Sequence, residues 1–293
     1  MLAYEEFKET LKEEVQKDVE GILYFTVMVK NNHEEKETLS IKTKEYNCVP
    51  VIHLKELYEN YQDGETIDEC VDFVKEILET KKEIGIEEIW GTWEEKKKDV
   101  CIRLVNKEWN QEKLEELPHQ IFCDLAVTFR LEFSASEDRK AGCDIQYSML
   151  EHWGITEQEL AQAAFENLNK EEYAIRDMEE IVAEILGLPI PEETRGLQYV
   201  MTNANTFYGA AGMLRIDLLR KFAEEQGSDF YILPSSLHEI ILLPEGQGFS
   251  EDELRSMVRE INQTEVEMSE RLSDEIYKFD RKTSSVELVK HQQ

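Results

Sequence analysis

Ile121, Cys123, Leu125, Val127, Phe129, Leu131 and Phe133 occupy every second position of one segment. A period of two is the spacing of side chains along one face of a β-strand. The segment therefore predicts a long strand with one buried face, and such a strand needs partners on at least one side. Polar residues 134–140 then return the chain into residues 143–147, which predicts a hairpin. Two further hairpins are expected: residues 22–29 with 38–43, and residues 229–244 turning at Pro234-Ser-Ser236.

Between the hairpins the apolar period changes to that of a helix. Tyr4, Phe7, Leu11, Val15 and Val19 recur at spacings of three and four, and Gly21 is the expected stop. Three helices open on the same grammar, a Ser or Thr followed three residues later by Glu: Thr66 and Glu69, Thr156 and Glu159, Ser250 and Glu253. Each follows a hairpin. Identity beyond the box is poor, so common helix-start chemistry explains the recurrence better than an internal duplication does. Other helices are expected at 54–61, 111–117, 178–186 and 209–225. Short strands are expected at 100–105 and 197–201, a stiff connector at 188–196, and a frayed tail from Thr283. The implied fold class is α+β: antiparallel or mixed sheets built from three hairpins, with amphipathic helices packed on them. Pro118 suggests an N-terminal α+β subdomain at 1–117 and a C-terminal one at 118–293, with a single integrated unit as the alternative.

Charge narrows the partners. The 293 residues hold 33 Lys and Arg against 64 Asp and Glu, a net charge of -31. Residues 1–150 carry 20 basic and 35 acidic groups and residues 151–293 carry 13 and 29, so the acidity is spread rather than confined to a tail. Such a field repels phosphate backbones and anionic membranes, which argues against direct nucleic-acid or membrane binding. A protein partner, especially a basic one, stays open. No apolar stretch approaches the length of a bilayer span, and the first residues carry acids where a signal peptide would be apolar. Cys48, Cys70, Cys101, Cys123 and Cys143 lack CxxC spacing, which fits reduced thiols in a cytoplasmic protein.

Two segments carry candidate chemistry. In the third hairpin, Ser235, Ser236, His238 and Glu239 interrupt an apolar run. If extended, Ser236 and His238 share a side, and a serine near a histidine is a candidate nucleophile with its base. No GxSxG elbow exposes the serine, and hydroxyls that bond nearby backbone in a turn are the simpler reading. The second segment, Thr202 to Gly212, places Asn203, Asn205, Tyr208 and Gly209 before an expected helix, where backbone amides can meet an anion. Its spacing matches neither GxxxxGK[ST] nor GxGxxG, so no nucleotide cofactor is implied, and a loop with an N-cap is the simpler reading.

No metal site is expected. His119 and Cys123 are splayed by the strand reading, and His33, His53, His152 and His291 lack ligand-spaced partners. Trp90, Trp93 and Trp109 can line an aromatic groove, although interior packing is their commoner use. Carboxylate pairs are too frequent in this chain to carry information about catalysis.

Val51-Ile-His-Leu-Lys-Glu-Leu-Tyr-Glu-Asn-Tyr61, Pro118-His-Gln-Ile-Phe-Cys-Asp-Leu-Ala-Val127, Trp153-Gly-Ile-Thr156, Tyr208-Gly-Ala-Ala211 and the run from Tyr231 to Pro244 resemble a bacterial family of the Firmicutes, domain of unknown function 5688. The resemblance reaches to about Arg281. The Leu-x-x-Leu-Tyr-x-x-Tyr and Trp-Gly-Ile-Thr pieces are also similar to domain of unknown function 1444. The resemblance implies a cytoplasmic bacterial protein and carries over no activity, cofactor or catalytic residue. Three functions follow as expectations: a non-enzymatic binding or interaction protein, a hydrolase-like enzyme using Ser236 or Ser235 with His238, or an acidic decoy for a nucleic-acid-binding partner.

Overall fold

Helix α1 (Tyr4–Gln16) buries the predicted stripe, with Phe7, Leu11 and Val15 fully enclosed. It stops before Val19 because the Gln16 side chain turns the chain: Nε2 donates to the Gly21 carbonyl at 2.9 Å and Oε1 accepts from the Leu23 peptide N–H at 3.0 Å. The computed structural model describes residues 1–42, 51–79, 91–136, 139–187 and 196–290. They divide into two compact units, Met1–Gly91 and Thr92–Gln293.

In the first unit, strands β1 (Ile22–Val29), β2 (Glu35–Lys42) and β3 (Ile52–His53) form an antiparallel sheet in that order. The β1–β2 turn places Asn32 and His33 in the left-handed region, a conformation that asparagine tolerates better than most residues. Helices α2 (Leu54–Gln62) and α3 (Ile67–Glu79) follow. The Thr66 box forms as expected: Thr66 N–H donates to Glu69 Oε2 and Glu69 N–H to Thr66 Oγ1. Leu39, Ile41, Leu54, Val74 and Leu78 join the α1 stripe in one core.

The second unit opens with α4 (Trp93–Lys96), β4 (Val100–Asn106) and α5 (Gln111–Leu114). The long alternating segment is two strands, β5 (His119–Phe122) and β6 (Leu125–Ser136). They are joined by a tight turn at Cys123 and Asp124, with Phe122 opposite Leu125 and Cys123 at a φ of 57°. Ile121 therefore pairs with Ala126 rather than sharing the face of Leu125 and Val127, and is 55% exposed. Strand β7 (Arg139–Asp144) completes the predicted hairpin with β6. Strand β4 pairs with β6 from Val100↔Leu131 to Asn106↔Leu125, so strands from both sides of residue 117 share one sheet.

Helices α6 (Tyr147–Trp153) and α7 (Glu157–Lys170) follow, then β8 (Tyr173–Asp177), α8 (Met178–Leu186), β9 (Tyr199–Asn203) and a 3-10 turn at Gly209–Leu214. The chain continues with α9 (Ile216–Gln226), β10 (Phe230–Pro234), β11 (Ile240–Pro244), α10 (Glu251–Thr264), β12 (Tyr277–Asp280) and β13 (Ser285–Leu288). These strands form a second sheet in the order β13-β12-β10-β11-β9-β8, every pair antiparallel. The fold is α+β, with helices set among three antiparallel sheets.

Two further expectations change. The tail is not frayed over its described part, because Ser285–Leu288 pairs with Tyr277–Asp280. The helix expected at 209–225 is broken at Arg215. Its buried guanidinium donates to the carbonyls of Leu168 and Glu171, at 3.0 and 3.1 Å, and so closes the end of α7. Strands β8 and β12 carry no clear sequence signal. The connector at 188–195, Cys48, Trp90 and His291 lie outside the described residues. No helix among the described residues is long and apolar enough to cross a membrane.

Candidate functional site

From Leu125 to Glu132 both faces of β6 are buried or half-buried, and they differ in chemistry. Leu125, Val127, Phe129 and Leu131 point into an apolar core. The opposite face carries Thr128, Arg130 and Glu132 and, in register on the neighbouring strands, Cys101, Arg103 and Asp144. Asp144 accepts from Arg103 Nη2 at 3.0 Å and from Lys113 Nζ at 2.7 Å, and also contacts Arg130 Nη1. Burial alone would raise its pKa. Arg103, Arg130 and Lys113 outweigh burial and hold the carboxyl well below the usual carboxylate range.

The Tyr208 ring stands over this polar face, 5.7 Å from the Arg103 guanidinium carbon and 5.3 Å from that of Arg130. Asn203, at the end of β9, fixes the loop that presents it. Its Nδ2 donates to the Phe207 carbonyl and to Glu171 Oε1, both at 2.8 Å, and its Oδ1 accepts from Phe207 N–H at 3.1 Å. Thr206 and Tyr208 both adopt left-handed backbone, with φ of 51° and 57°.

The two sequence-singled segments meet here. Tyr208 N–H donates to His238 Nδ1 at 3.2 Å, and Thr202 Oγ1 donates to the His238 carbonyl at 2.8 Å. A Cβ on Gly209 would lie 2.4 Å from that same carbonyl oxygen and 2.4 Å from Thr202 Oγ1, so only glycine fits. The imidazole and the Tyr208 ring are stacked at 15°, with Phe207 tilted against both. His238 Nε2 lies 2.7 Å from Glu270 Oε2. A peptide N–H can only donate, so Nδ1 is the acceptor and Nε2 carries the proton toward Glu270.

The serines sit as the turn reading expects, and not as the extended one. Residues 235–239 form the turn between β10 and β11 rather than extended chain. Ser236 Oγ accepts from the His238 peptide N–H at 3.0 Å, and Ser235 Oγ donates to Glu239 Oε1 at 3.2 Å. Both ring nitrogens of His238 are engaged, neither with a serine, so no serine–histidine dyad is assembled. Nor do the loop amides face outward to an anion: those of Phe207, Tyr208 and Ala210 go to Asn203 Oδ1, His238 Nδ1 and the Leu237 carbonyl.

Beside this assembly lies a cleft of about 440 Å³, lined by Cys101, Ile102, Glu132, Glu171, Asn203, Asn205, Phe207 and Tyr208. Phe207 is 49% exposed. Burial, then the neighbouring Glu132, pushes the Cys101 thiol up to about 12, so it stays protonated. Asn203, Asn205 and Tyr208 thus belong to one cleft wall, and Gly209 sets the approach of that wall to the His238 turn. Sequence reasoning missed Arg103, Arg130, Glu132, Asp144, Glu171 and Glu270. For Arg103, Arg130 and Glu132 the available signal was charge inside two apolar strands, where a solvated face is not expected.

The other candidates scatter. His119 Nδ1 lies on the Leu117 carbonyl at 2.8 Å. Trp93 packs on Trp153, at a 5.5 Å centroid distance, and Trp109 lines a separate cleft with Cys123 and Asp124. Among the described residues, no three His, Cys, Asp or Glu side chains converge as a metal site. No curated protein and no solved structure matches the chain. A family model does, over residues 4–281 of the 293, which takes in both units up to the turn after β12; the chain belongs to the family of unknown function DUF5688.

Proposed function

We propose that the protein is a non-enzymatic binding protein of the cytoplasm and that the cleft beside Tyr208 is its contact site. The observation that carries this reading is the backbone of the cleft wall. Thr206 and Tyr208 are held in left-handed conformations, which cost non-glycine residues about 1–2 kcal/mol each. Such strain persists where the surroundings over-determine it, and it clusters at ligand clamps. Here Asn203, His238, Arg103 and Arg130 together hold the Tyr208 ring in place. The cleft volume also falls in the range of small-molecule sites. Free thiols at Cys70, Cys101, Cys123 and Cys143 fit a reducing compartment.

The test is ligand-observed NMR of the full chain against a library of water-soluble metabolites, repeated with Phe207→Ala. Compounds whose signal depends on Phe207 support the reading; a library with no such compound overturns it. The alternative is hydrolysis by Ser235 or Ser236 with His238. Glu270 at Nε2 favours it and the peptide N–H at Nδ1 opposes it. Turnover of p-nitrophenyl acetate that disappears in Ser236→Ala would favour that alternative.

A further inference from the structure

We propose that β8 and α8 form a two-fold interface with a second copy of this chain. Strand β8 ends the six-stranded sheet and, among the described residues, pairs on one side only, with β9. Ala204 N–H donates to the Glu172 carbonyl and Met178 N–H to the Gln198 carbonyl, both at 2.9 Å. By the alternation of an antiparallel pair, the peptide groups of Ala174 and Arg176 also turn to β9, and those of Tyr173, Ile175 and Asp177 face the open edge. Helix α8 follows without a linking residue. None of its nine residues is buried, whereas α7 buries Leu160, Ala161, Ala164 and Leu168. Helical spacing puts Ile181, Val182, Ile185 and Leu186 on one face, and the last three are 41%, 76% and 61% exposed. An open edge beside an exposed apolar helix is the kind of surface that association covers.

Charge identifies the occupant as a copy of the chain. The outward side chains along the edge are Glu172, Ala174 and Arg176, all exposed. A two-fold interface brings one patch against itself, so the patch must be self-complementary. Antiparallel pairing centred on Ile175 uses all three open peptide groups of each strand. It sets Ala174 opposite Arg176, and Arg176 of one copy then lies diagonal to Glu172 of the other, twice by symmetry. Ala174 is small enough for the guanidinium to cross it. Arg176 also meets Glu184 of its own α8 at 2.7 Å, and its guanidinium has donors left for a second carboxylate. A lone edge charge discourages pairing; opposite charges four residues apart favour it in this one direction. A basic partner would meet Arg176 at the edge, and an acidic one Glu172. A five-residue edge is too small by itself for a stable interface, which buries about 1,200–2,000 Å². The exposed face of α8 supplies the apolar remainder.

Analytical ultracentrifugation of the full chain at about 0.15 M salt tests this, since repulsion between acidic copies is then screened beyond about 8 Å. A monomer–dimer equilibrium is expected at micromolar to millimolar concentration. Ile185→Asp alters a side chain exposed in the single chain and should raise the dimer Kd at least about tenfold. Arg176→Glu alone and Glu172→Arg alone each put like charges on both diagonals and should weaken the dimer about tenfold. An equimolar mixture of those two variants restores opposite charges on both diagonals and should regain the dimer, which a folding defect cannot mimic. Val27→Lys, at an exposed position of the first unit, should change nothing. A wild type that stays monomeric to millimolar concentration overturns the inference and leaves the surface to a different partner. A dimer indifferent to Ile185→Asp and Arg176→Glu also overturns it, as does one lost in Val27→Lys instead. A variant mixture that stays monomeric refutes the antiparallel pairing on which the proposal stands.

Discussion

Tyr208 and His238, thirty residues apart, are joined twice: the Tyr208 peptide N–H donates to His238 Nδ1 at 3.2 Å, and the two rings stack at 15°. The first contact needs an acceptor in the ring, and the second needs only a flat ring. His238→Phe therefore separates them. The phenyl ring keeps the stack and removes the partner of both the Tyr208 N–H and Glu270 Oε2, which should destabilise the second unit by about 1–3 kcal/mol. Long-range 15N–1H NMR of the wild type should show the Nε2–H tautomer of His238. A protonated Nδ1 in the folded state would refute the assignment.

Gly209 separates steric fit from backbone strain. A Cβ there meets the His238 carbonyl and Thr202 Oγ1 at 2.4 Å, and the carbonyl is backbone that cannot swing away. Gly209→Ala should cost about 3 kcal/mol or more in denaturant titrations. Gly154, at the end of α6, has a φ of 66° and open space where a Cβ would go. Gly154→Ala should cost about 1 kcal/mol, from the left-handed backbone alone. Equal losses would mean that the Gly209 contact relaxes freely.

The contrast between these glycines shows what was legible in the sequence. Gly154 stands in a local pattern, a helix end followed by the Thr156 box, and that pattern was readable. Gly209 has its reason 29 residues away, in a carbonyl no local pattern announces. The same division runs through the fold. Alternation identified the buried face of β6, and periodicity identified the α1 stripe. Alternation could not locate the Cys123–Asp124 turn, because the apolar period runs on through it. The polar site is assembled by long-range pairing: Arg130 finds Asp144 across β6 and β7, and His238 finds Glu270 from a separate loop. Strand β13 looks like tail in the sequence because four residues are too few to show a period.

Thiol chemistry offers a third check. Burial raises all four described thiols, Cys70 to about 11 and Cys101 to about 12, with Cys123 and Cys143 shifted in the same direction. The thiolate is the reactive form. In a Cys48→Ser background the native protein should therefore react slowly with iodoacetamide at pH 8, and all four thiols should react fast in denaturant. Mass spectrometry that finds one of these cysteines labelled rapidly in the native state would place its thiol in a different environment from the one described.

Asp144 supplies the sharpest pH dependence. Its folded pKa is depressed: burial opposes ionisation, and Arg103, Arg130 and Lys113 overcome it. A carboxylate with a depressed folded pKa stabilises the fold above its unfolded value, 3.8 here, and that contribution is lost as pH falls from there through the lower folded value. Asp144→Asn removes the charge at every pH and leaves the three cations uncompensated, two of them on a largely buried face. The variant should lose about 3–5 kcal/mol at pH 7. The loss relative to wild type should shrink as pH drops below about 4, because the unfolded wild-type chain then binds a proton at Asp144 that the folded protein does not. Replacing Arg103 and Arg130 by Met together with Asp144→Leu should restore much of the stability, since an apolar triad of similar volume carries no desolvation penalty. Urea titrations of the wild type and both variants at pH 7 and pH 3.5 measure each difference. A deficit in Asp144→Asn that is independent of pH would show that the carboxylate acts through packing rather than through its charge.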